Sequence, residues 1–237
     1  MMKAILVPTI VSLFCCTASY AQYTQNSISQ RAYSDVQFLK GAIRVRGAEA
    51  NENAIGSPYL NPDWGKATVS YNDGRIFKDV ELQYNLMNNE LYFRKAEEIF
   101  LFTDTVKSFD LLYTVEESVK TEKFQAGYPP VDVQNEFSFY QVMAEGPKVH
   151  YLKHRYVKRN ESYHYSEGKK INYFTYEDLY LFDVINKKIV KVKKGDTRVT
   201  EALPAYTEAM NSIIKSQGLK IKNQDDLIRL VNLVNQQ

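Results

Sequence analysis

Alternating apolar and polar residues, separated by tight-turn residues, dominate the stretch Gly56 to Phe93, and this pattern limits the fold more than any other feature. Val80, Leu82 and Tyr84 alternate with polar neighbours, a period of two that is typical of a half-buried strand. An Asn-Asp-Gly run at residues 72–74 precedes them, and its Asp-Gly pair predicts a two-residue type I′ hairpin turn. The sequence therefore predicts successive antiparallel strands joined by short turns.

Further strands of the same kind are predicted along the chain, so the predicted fold class is mainly β. Short strands at regular spacing, with turn residues between them, predict an antiparallel meander that forms a curved sheet, a sandwich or a partly open barrel. No strand is predicted in the more polar run from Val115 to Tyr128. The predicted strands are Lys66–Tyr71, Leu91–Phe93, Glu98–Phe102, Lys107–Tyr113, Phe137–Met143, Lys148–Val157, Tyr173–Val184 and Ile189–Val192.

The last part of the chain changes to a helical period. Apolar residues recur on one helical face after Pro204, which suits a first helical turn, and Gly218 is placed to end this helix. Asn223 is the predicted N-cap of a second helix, with Asp225 and Asp226 in its first turn, where carboxylates favour the helix dipole. We therefore predict two C-terminal α-helices that pack on the sheet.

The N-terminal residues predict export. Lys3 precedes the apolar run Ala4–Cys16, which is too short to span a bilayer, and Ser19 and Ala21 supply the small residues for signal-peptide cleavage after Ala21. The mature chain Gln22–Gln237 is thus predicted to be periplasmic or secreted and to contain no transmembrane segment.

Both cysteines, Cys15 and Cys16, lie inside this predicted signal peptide. The mature chain is therefore predicted to have no disulfide, no cysteine nucleophile and no thiolate metal site. Lipidation does not fit, because the residue before the acylated cysteine should be small and is Phe14 or Cys15 here.

The predicted organisation has four segments. Residues 1–21 are the signal peptide, 22–55 a poorly defined N-terminal segment, 56–198 the antiparallel β domain and 199–237 the helical tail. Within the poorly defined segment, the pattern is compatible with a short helix at 35–40, a strand at 42–46 and a loop at 48–53.

Charge is distributed unevenly along a chain whose net charge is only +2, which gives no general attraction to nucleic acid. Residues 22–147 carry 12 basic and 18 acidic side chains, whereas residues 148–198 carry 13 basic and 6 acidic ones. Either the charges of neighbouring strands offset each other on solvated faces, or a basic edge faces an anionic envelope component such as lipid phosphate or an acidic glycan.

Residues that would indicate catalysis or metal binding do not form a recognisable motif. His150 and His154 are four residues apart, which suits a zinc pair on a helix, but on a strand this spacing separates them by ~13 Å. His164 lies in a charged stretch, and no nucleophile-elbow, P-loop or dinucleotide motif occurs. We therefore predict no catalytic residue, no metal and no cofactor. Pairs of adjacent acidic residues give no evidence for glycosidase chemistry, because a chain with 28 acids contains such pairs by chance. These pairs are Glu97-Glu98, Glu116-Glu117 and Asp225-Asp226.

Aromatic residues are the remaining feature. Eight Tyr and four Phe occur between residues 137 and 182, either as ordinary sheet packing or as the lining of a groove for a sugar or an acyl chain. The only tryptophan, Trp64, either caps one end of the core or stacks on a ligand. The charged connection from Lys158 to Lys170 is a candidate protruding hairpin that contacts a partner.

Three parts of the chain carry a resemblance to a known family. The run Gly-Ser-Pro-Tyr-Leu at 56–60, the turn at 72–74 and the run Leu-Gln-Tyr-Asn at 82–85 resemble a family of secreted proteins from Bacteroidetes-type bacteria, and the tail from Ile213 is similar to that family's ending. The resemblance covers most of the mature chain and implies an envelope or secreted location in a Gram-negative cell. It implies no active site, cofactor or substrate. The predicted architecture also resembles periplasmic lipoprotein carriers, in which helices cover a curved antiparallel sheet.

These observations predict a non-enzymatic exported β-protein that binds an envelope component or a protein partner. The unknown partner is an envelope protein, a lipid or a glycan, and not a nucleic acid. One alternative is a periplasmic carrier of a hydrophobic ligand, such as a lipid or a lipoprotein acyl chain. A second alternative is a hydrolase that acts on envelope polymers.

Overall fold

Antiparallel strand pairing builds most of the chain. The computed structural model describes residues 42–45, 54–61, 63–165, 168–193, 195 and 197–237. Two 3-10 turns, Thr197–Glu201 and Pro204–Tyr206, precede helices α1 (Thr207–Gln217) and α2 (Gln224–Gln236). The strands are β1 Ala42–Val45, β2 Ala54–Ile55, β3 Gly65–Tyr71, β4 Ile76–Asn85, β5 Glu90–Lys95, β6 Glu98–Phe102, β7 Val106–Val115, β8 Ser118–Gln125, β9 Tyr140–Ala144, β10 Val149–His164, β11 Gly168–Asp183 and β12 Lys188–Val192.

The described strands form one open twelve-stranded sheet. Its order is β1-β6-β5-β4-β3-β7-β8-β9-β10-β11-β12, and β2 adds to β11 as a short parallel pair at residues 171–172. The two C-terminal helices pack against this sheet. The prediction of a mainly β, antiparallel fold with two packed C-terminal helices is therefore confirmed, and a single open sheet is the arrangement that forms.

The hairpin turn at residues 72–74 differs from the predicted type I′ turn. Among its three residues only Gly74 has a positive φ, of 88°. The Gly74 N–H donates to the Tyr71 carbonyl at 3.2 Å, and the Tyr71 N–H donates to the Arg75 carbonyl at 3.0 Å. This is a three-residue hairpin loop with glycine in the left-handed position. Two-residue turns with positive φ at both residues occur instead at 96–97 and 116–117.

Two segments that the sequence left without strands are strands in the structure. Residues 118–125 form β8, whose first four residues are all exposed and therefore lack the apolar alternation that reveals a strand. The segment Lys158–Lys170 is not an irregular connection, because β10 and β11 are 16 residues each and pair along their whole length. The prediction of a hairpin there is confirmed.

The helices cover the odd-numbered side chains of β10 and β11 at the end of the hairpin distant from its turn, near Val149 and Leu181. Tyr151 and Leu181 are buried against Leu230 and Val231 of α2, and all four residues are fully buried. Asn235 fixes this packing, because its Oδ1 accepts the N–H groups at 148 and 149, each at 2.9 Å, and its Nδ2 donates to the carbonyl at 149 at 2.8 Å.

The predicted end of α1 and the predicted start of α2 are confirmed, whereas Pro204 begins a 3-10 turn and α1 starts only at Thr207. Gly218 takes the left-handed conformation with φ 61° and ends α1, and its N–H donates to the Ile214 carbonyl. Asn223 caps α2, since its Oδ1 accepts the N–H of Asp225 at 3.1 Å.

The strand predicted at 42–46 is confirmed as β1. The predicted signal peptide with Cys15 and Cys16, the helix at 35–40 and the loop at 48–53 lie outside the described residues. Within the described ranges, no helix has both the length and the apolar character needed to cross a membrane.

Candidate functional site

The even-numbered side chains of β10 and β11 lie on the face opposite the helices. The loop at residues 126–139 covers this face near residues 150–154 of β10 and 180–182 of β11. Tyr128 from the loop, Tyr140 from β9 and Tyr180 from β11 form one buried cluster there, and the rings of His150 and His154 contact it. We call these five residues the His–Tyr cluster.

The two histidines of the cluster have separate partners. The Tyr128 hydroxyl lies 2.9 Å from Nδ1 of His150, and Nε2 of Gln134 lies 3.3 Å from Nδ1 of His154. Burial lowers the pKa of both imidazoles. Among the described residues, no group of three or more His, Cys, Asp or Glu is arranged to hold a metal ion. The side chain of His164 lies outside the described residues.

A charged network ties the covering loop to the sheet. The Tyr180 hydroxyl donates to Asp132 of the loop at 3.1 Å. Lys191 of β12 reaches both Asp132, at 3.1 Å, and Asp178 of β11, at 2.9 Å. The hydrogen bond from the Lys191 ammonium holds the pKa of the Asp132 carboxyl below its usual range. These contacts join the loop to two strands and hold it over the cluster.

The cluster is poorly placed to react with a substrate. Tyr140 is fully buried and its hydroxyl has no hydrogen-bond partner, while His154 is only 8% exposed. Burial also raises the pKa of Tyr140, so its hydroxyl stays protonated. A substrate would reach either ring only if the loop at 126–139 moved.

Acidification is expected to destabilise the fold through His154. Burial lowers the pKa of His154 from 6.5 to about 4, against the opposing effect of the Asp178 carboxylate. Between pH 6.5 and pH 4, the imidazole of residue 154 is therefore protonated in the unfolded chain and neutral in the folded protein. Protonation stabilises the unfolded chain, so the free energy of unfolding is highest above pH 6.5 and decreases as the pH falls toward 4. We expect a loss of roughly 2 kcal/mol in the free energy of unfolding from this residue.

Urea unfolding of the wild type and of His154→Gln at pH 7, 5.5 and 4.5 measures this contribution. Carboxylates titrate in both proteins, so the difference between the two curves isolates His154. A difference that stays constant over this range would contradict the prediction.

Beyond His154 the same face is uncovered. Tyr156 stacks on His154, with 5.7 Å between ring centroids, and on Tyr176 across the hairpin at 5.4 Å. Tyr176 and Phe174 are 43% and 49% exposed. The ammonium of Lys158 lies 5.4 Å from the centroid of the Tyr176 ring, within the range of a cation–π contact. A row of rings thus runs from the buried cluster to an exposed surface.

Polar residues continue this surface toward the hairpin tip. Asn160 pairs with Asn172 across the hairpin, and Ser162 pairs with Lys170. The described residues of this surface include two lysines and no carboxylate. We call this surface the arm face and define it as Tyr156, Lys158, Asn160, Ser162, Lys170, Asn172, Phe174 and Tyr176.

Described cations on the opposite face of the same hairpin form ion pairs. Glu161 pairs with both Arg159 and Lys169, and Arg155 binds Glu122 of β8. Ion pairs therefore offset charge on the odd-numbered face, as one interpretation of the basic region predicts. The described residues of the arm face include no carboxylate to match its two lysines, and the interpretation of a basic edge that faces an anionic component stays a prediction.

Trp64 is partly buried. The guanidinium of Arg94 lies over its ring at 5.5 Å from the centroid, within the range of a cation–π contact. The two interpretations of Trp64, as a cap on the core and as a ring that stacks on a ligand, both stay predictions.

The adjacent acids have structural positions. Glu97, Glu116 and Glu117 lie in hairpin turns, and Glu98 pairs with Arg44 at 2.9 Å. At the start of α2, the carboxylate of Asp226 accepts the N–H of residue 220 at 2.8 Å. None of these contacts places two carboxylates around a common cleft.

The sequence did not identify the arm face as a site. Its residues are spread over two strands, and only the pairing of Tyr156 with Tyr176 and of Lys158 with Phe174 brings them together. The only signal in the sequence was the period of two within each strand, which places the even-numbered residues of that strand on one face.

A comparison of the chain with protein-family models, curated proteins and solved structures found no match. The resemblance to secreted Bacteroidetes-type proteins stays a prediction, and the site rests on its geometry.

Proposed function

We propose that this protein is an exported, non-enzymatic binding protein that recognises an acidic glycan of the cell envelope through the arm face. The observation that carries the proposal is the combination of exposed rings, at Phe174 and Tyr176, with two lysines in a set of arm-face residues that contains no carboxylate.

The chemistry of the arm face suits such a polymer. Apolar C–H faces of sugar rings pack on exposed aromatic side chains, and the amides of Asn160 and Asn172 both donate and accept hydrogen bonds, as sugar hydroxyls require. Lys158 and Lys170 would pair with carboxylate or sulfate groups on the chain. Neutral glycans would use only part of this surface.

The alternatives fit the geometry less well. A carrier that encloses its whole ligand between the helices and the sheet needs a large cavity there, but Met210, Leu230 and Val231 are fully buried in that layer and the chamber beside Tyr151 has only about 10 Å³. A hydrolase based on His154 would have to expose this buried residue from beneath the loop at 126–139, and one based on His150 would have to free its Nδ1 from the Tyr128 hydroxyl.

Binding to polygalacturonate is expected to depend on the arm face. In affinity electrophoresis, we expect retardation by polygalacturonate and much weaker retardation by neutral dextran. The double variant Phe174→Ala, Tyr176→Ala should bind at least tenfold more weakly, because the rings supply the packing surface. The double variant Lys158→Gln, Lys170→Gln should lose several-fold in affinity and most of the salt dependence.

The matched control is Lys187→Gln, Lys188→Gln, which removes two exposed lysines, one from the turn between β11 and β12 and one from the start of β12. We expect this variant to bind as the wild type does. Absence of binding to polygalacturonate, or an equal loss in the control, would contradict the proposal.

A further inference from the structure

A cleft at the connection between α1 and α2 adjoins a small chamber inside the protein. The cleft has a volume of about 680 Å³ and the chamber about 10 Å³. Ile221, Lys222 and Asn223 line both spaces. This region is separate from the arm face, so an inference from it does not rest on the proposed glycan binding.

Tyr151 is the one tyrosine among the described residues that line the inner chamber. Tyr151 lines the chamber, is fully buried and has no hydrogen-bond partner for its hydroxyl. A buried polar group without a partner is unfavourable and rare in folded proteins. A chamber of this volume has room for about one oxygen atom with its hydrogens. An acceptor oxygen that entered the chamber would satisfy Tyr151.

The surroundings favour a negatively charged acceptor. The charged side chains among the described lining residues are Lys193, Lys220 and Lys222, all exposed cations. The N-terminus of the 13-residue helix α2 lies at the same place, since Asn223 and Gln224 line the chamber.

Two carboxylates stand nearby and have other roles. Asp225 and Asp226 are in the first turn of α2 but do not line either space. Asp226 accepts the backbone N–H of Lys220. The Glu177 carboxylate, which acts on Tyr151, pairs with Lys153. The charged side chains among the described residues that line the cleft and the chamber are therefore all lysines.

The outer cleft is apolar. Ile214, Leu219 and Ile221 line it, and Leu219 is 8% exposed. Lysines at the rim and apolar side chains on the wall favour a ligand with an anionic head and a hydrocarbon chain.

We infer that this cleft binds a single-chain alkyl carboxylate, with one carboxylate oxygen accepting a hydrogen bond from the Tyr151 hydroxyl and the chain on Ile214, Leu219 and Ile221. Lys193 and Lys222 balance the charge of the head group. Burial, with a smaller effect of the Glu177 carboxylate, raises the pKa of Tyr151 to about 12, so that the hydroxyl remains a donor at neutral pH.

Isothermal titration calorimetry of the full chain with sodium decanoate tests this inference. We expect saturable binding of decanoate and at least tenfold weaker binding of decylammonium, which has the same chain and the opposite charge. Tyr151→Phe should lower decanoate affinity at least tenfold without loss of folding, because the substitution removes only an unpartnered hydroxyl.

Tyr140→Phe is the matched control, since Tyr140 also has a fully buried hydroxyl without a partner but does not line either space. It should bind decanoate as the wild type does. Ile221→Glu, which places a carboxylate in the cleft, should abolish binding. The inference is overturned if decanoate does not saturate a site, if decylammonium binds equally well, or if Tyr151→Phe and Tyr140→Phe behave alike.

Discussion

Replacement of Phe109 by alanine is expected to lower the free energy of unfolding by about 4 kcal/mol. Phe109 is 1% exposed, and its ring stacks on Phe124 of β8 with 4.8 Å between centroids. The rings of Tyr84 from β4 and Phe139 from the covering loop contact it at 5.5 and 5.1 Å. The substitution would therefore open a cavity among three buried rings from two strands and the loop.

Urea denaturation monitored by circular dichroism measures this effect. The control is Phe137→Ala, which makes the same chemical change at a residue that is 53% exposed, and we expect a change of less than about 0.5 kcal/mol there. Similar losses in the two variants would show that this ring cluster does not carry the stability that its burial indicates.

The strands that could be predicted are those with one buried and one solvated face. Val80, Leu82 and Tyr84 alternate in the sequence because β4 buries every second side chain, and the structure confirms this pattern. Strand β8 was missed because its first residues are exposed on both faces, and pairing with β7 rather than burial holds them. Local patterns report burial, and they do not report hydrogen bonding to a distant strand.

Strand order was beyond the reach of the sequence. The predicted strands Glu98–Phe102 and Lys107–Tyr113 follow each other in the chain, yet they are not neighbours in the sheet. Strand β6 pairs with β1 and β5, and β7 pairs with β3 and β8. The β1–β6 and β3–β7 pairings bring together residues far apart in the chain, and no turn residue encodes them.

The candidate sites were predictable to different extents. The hairpin at Lys158–Lys170 was predicted from its charge and tyrosines, but its binding face needed the register that aligns Lys158 with Phe174. The environments of His154 and Tyr151 depend on a loop and a helix that are distant in sequence. A period of two places both residues on a strand and leaves their partners undefined.

The base of the hairpin provides the second large effect, because an arginine–glutamate pair there is mostly buried. Arg155 of β10 binds Glu122 of β8 through two hydrogen bonds, at 2.8 and 3.2 Å, and the hydroxyl of Tyr113 donates to the same carboxylate at 2.9 Å. The side chains of Arg155 and Glu122 are 18% and 12% exposed. If one partner is removed, water therefore has little access to form hydrogen bonds with the other.

Glu122→Gln is expected to lower the free energy of unfolding by about 3 kcal/mol, because it leaves the Arg155 guanidinium buried without a countercharge. The control is Glu81→Gln. Glu81 also forms two hydrogen bonds with an arginine on a neighbouring strand, Arg94, both at 3.0 Å, but these side chains are 45% and 34% exposed. Solvent screens an exposed pair, so a much smaller change is expected there.

Urea denaturation of both variants at pH 7 compares pairs that have the same chemistry and differ in burial. The double variant Glu122→Gln, Arg155→Met should recover much of the stability lost in Glu122→Gln, since it removes the unpaired charge along with its partner. If Glu81→Gln is as destabilising as Glu122→Gln, burial does not set the strength of these pairs. If the double variant recovers nothing, the pair contributes through its hydrogen bonds to the hairpin base, and the unpaired charge is not the cause of the loss.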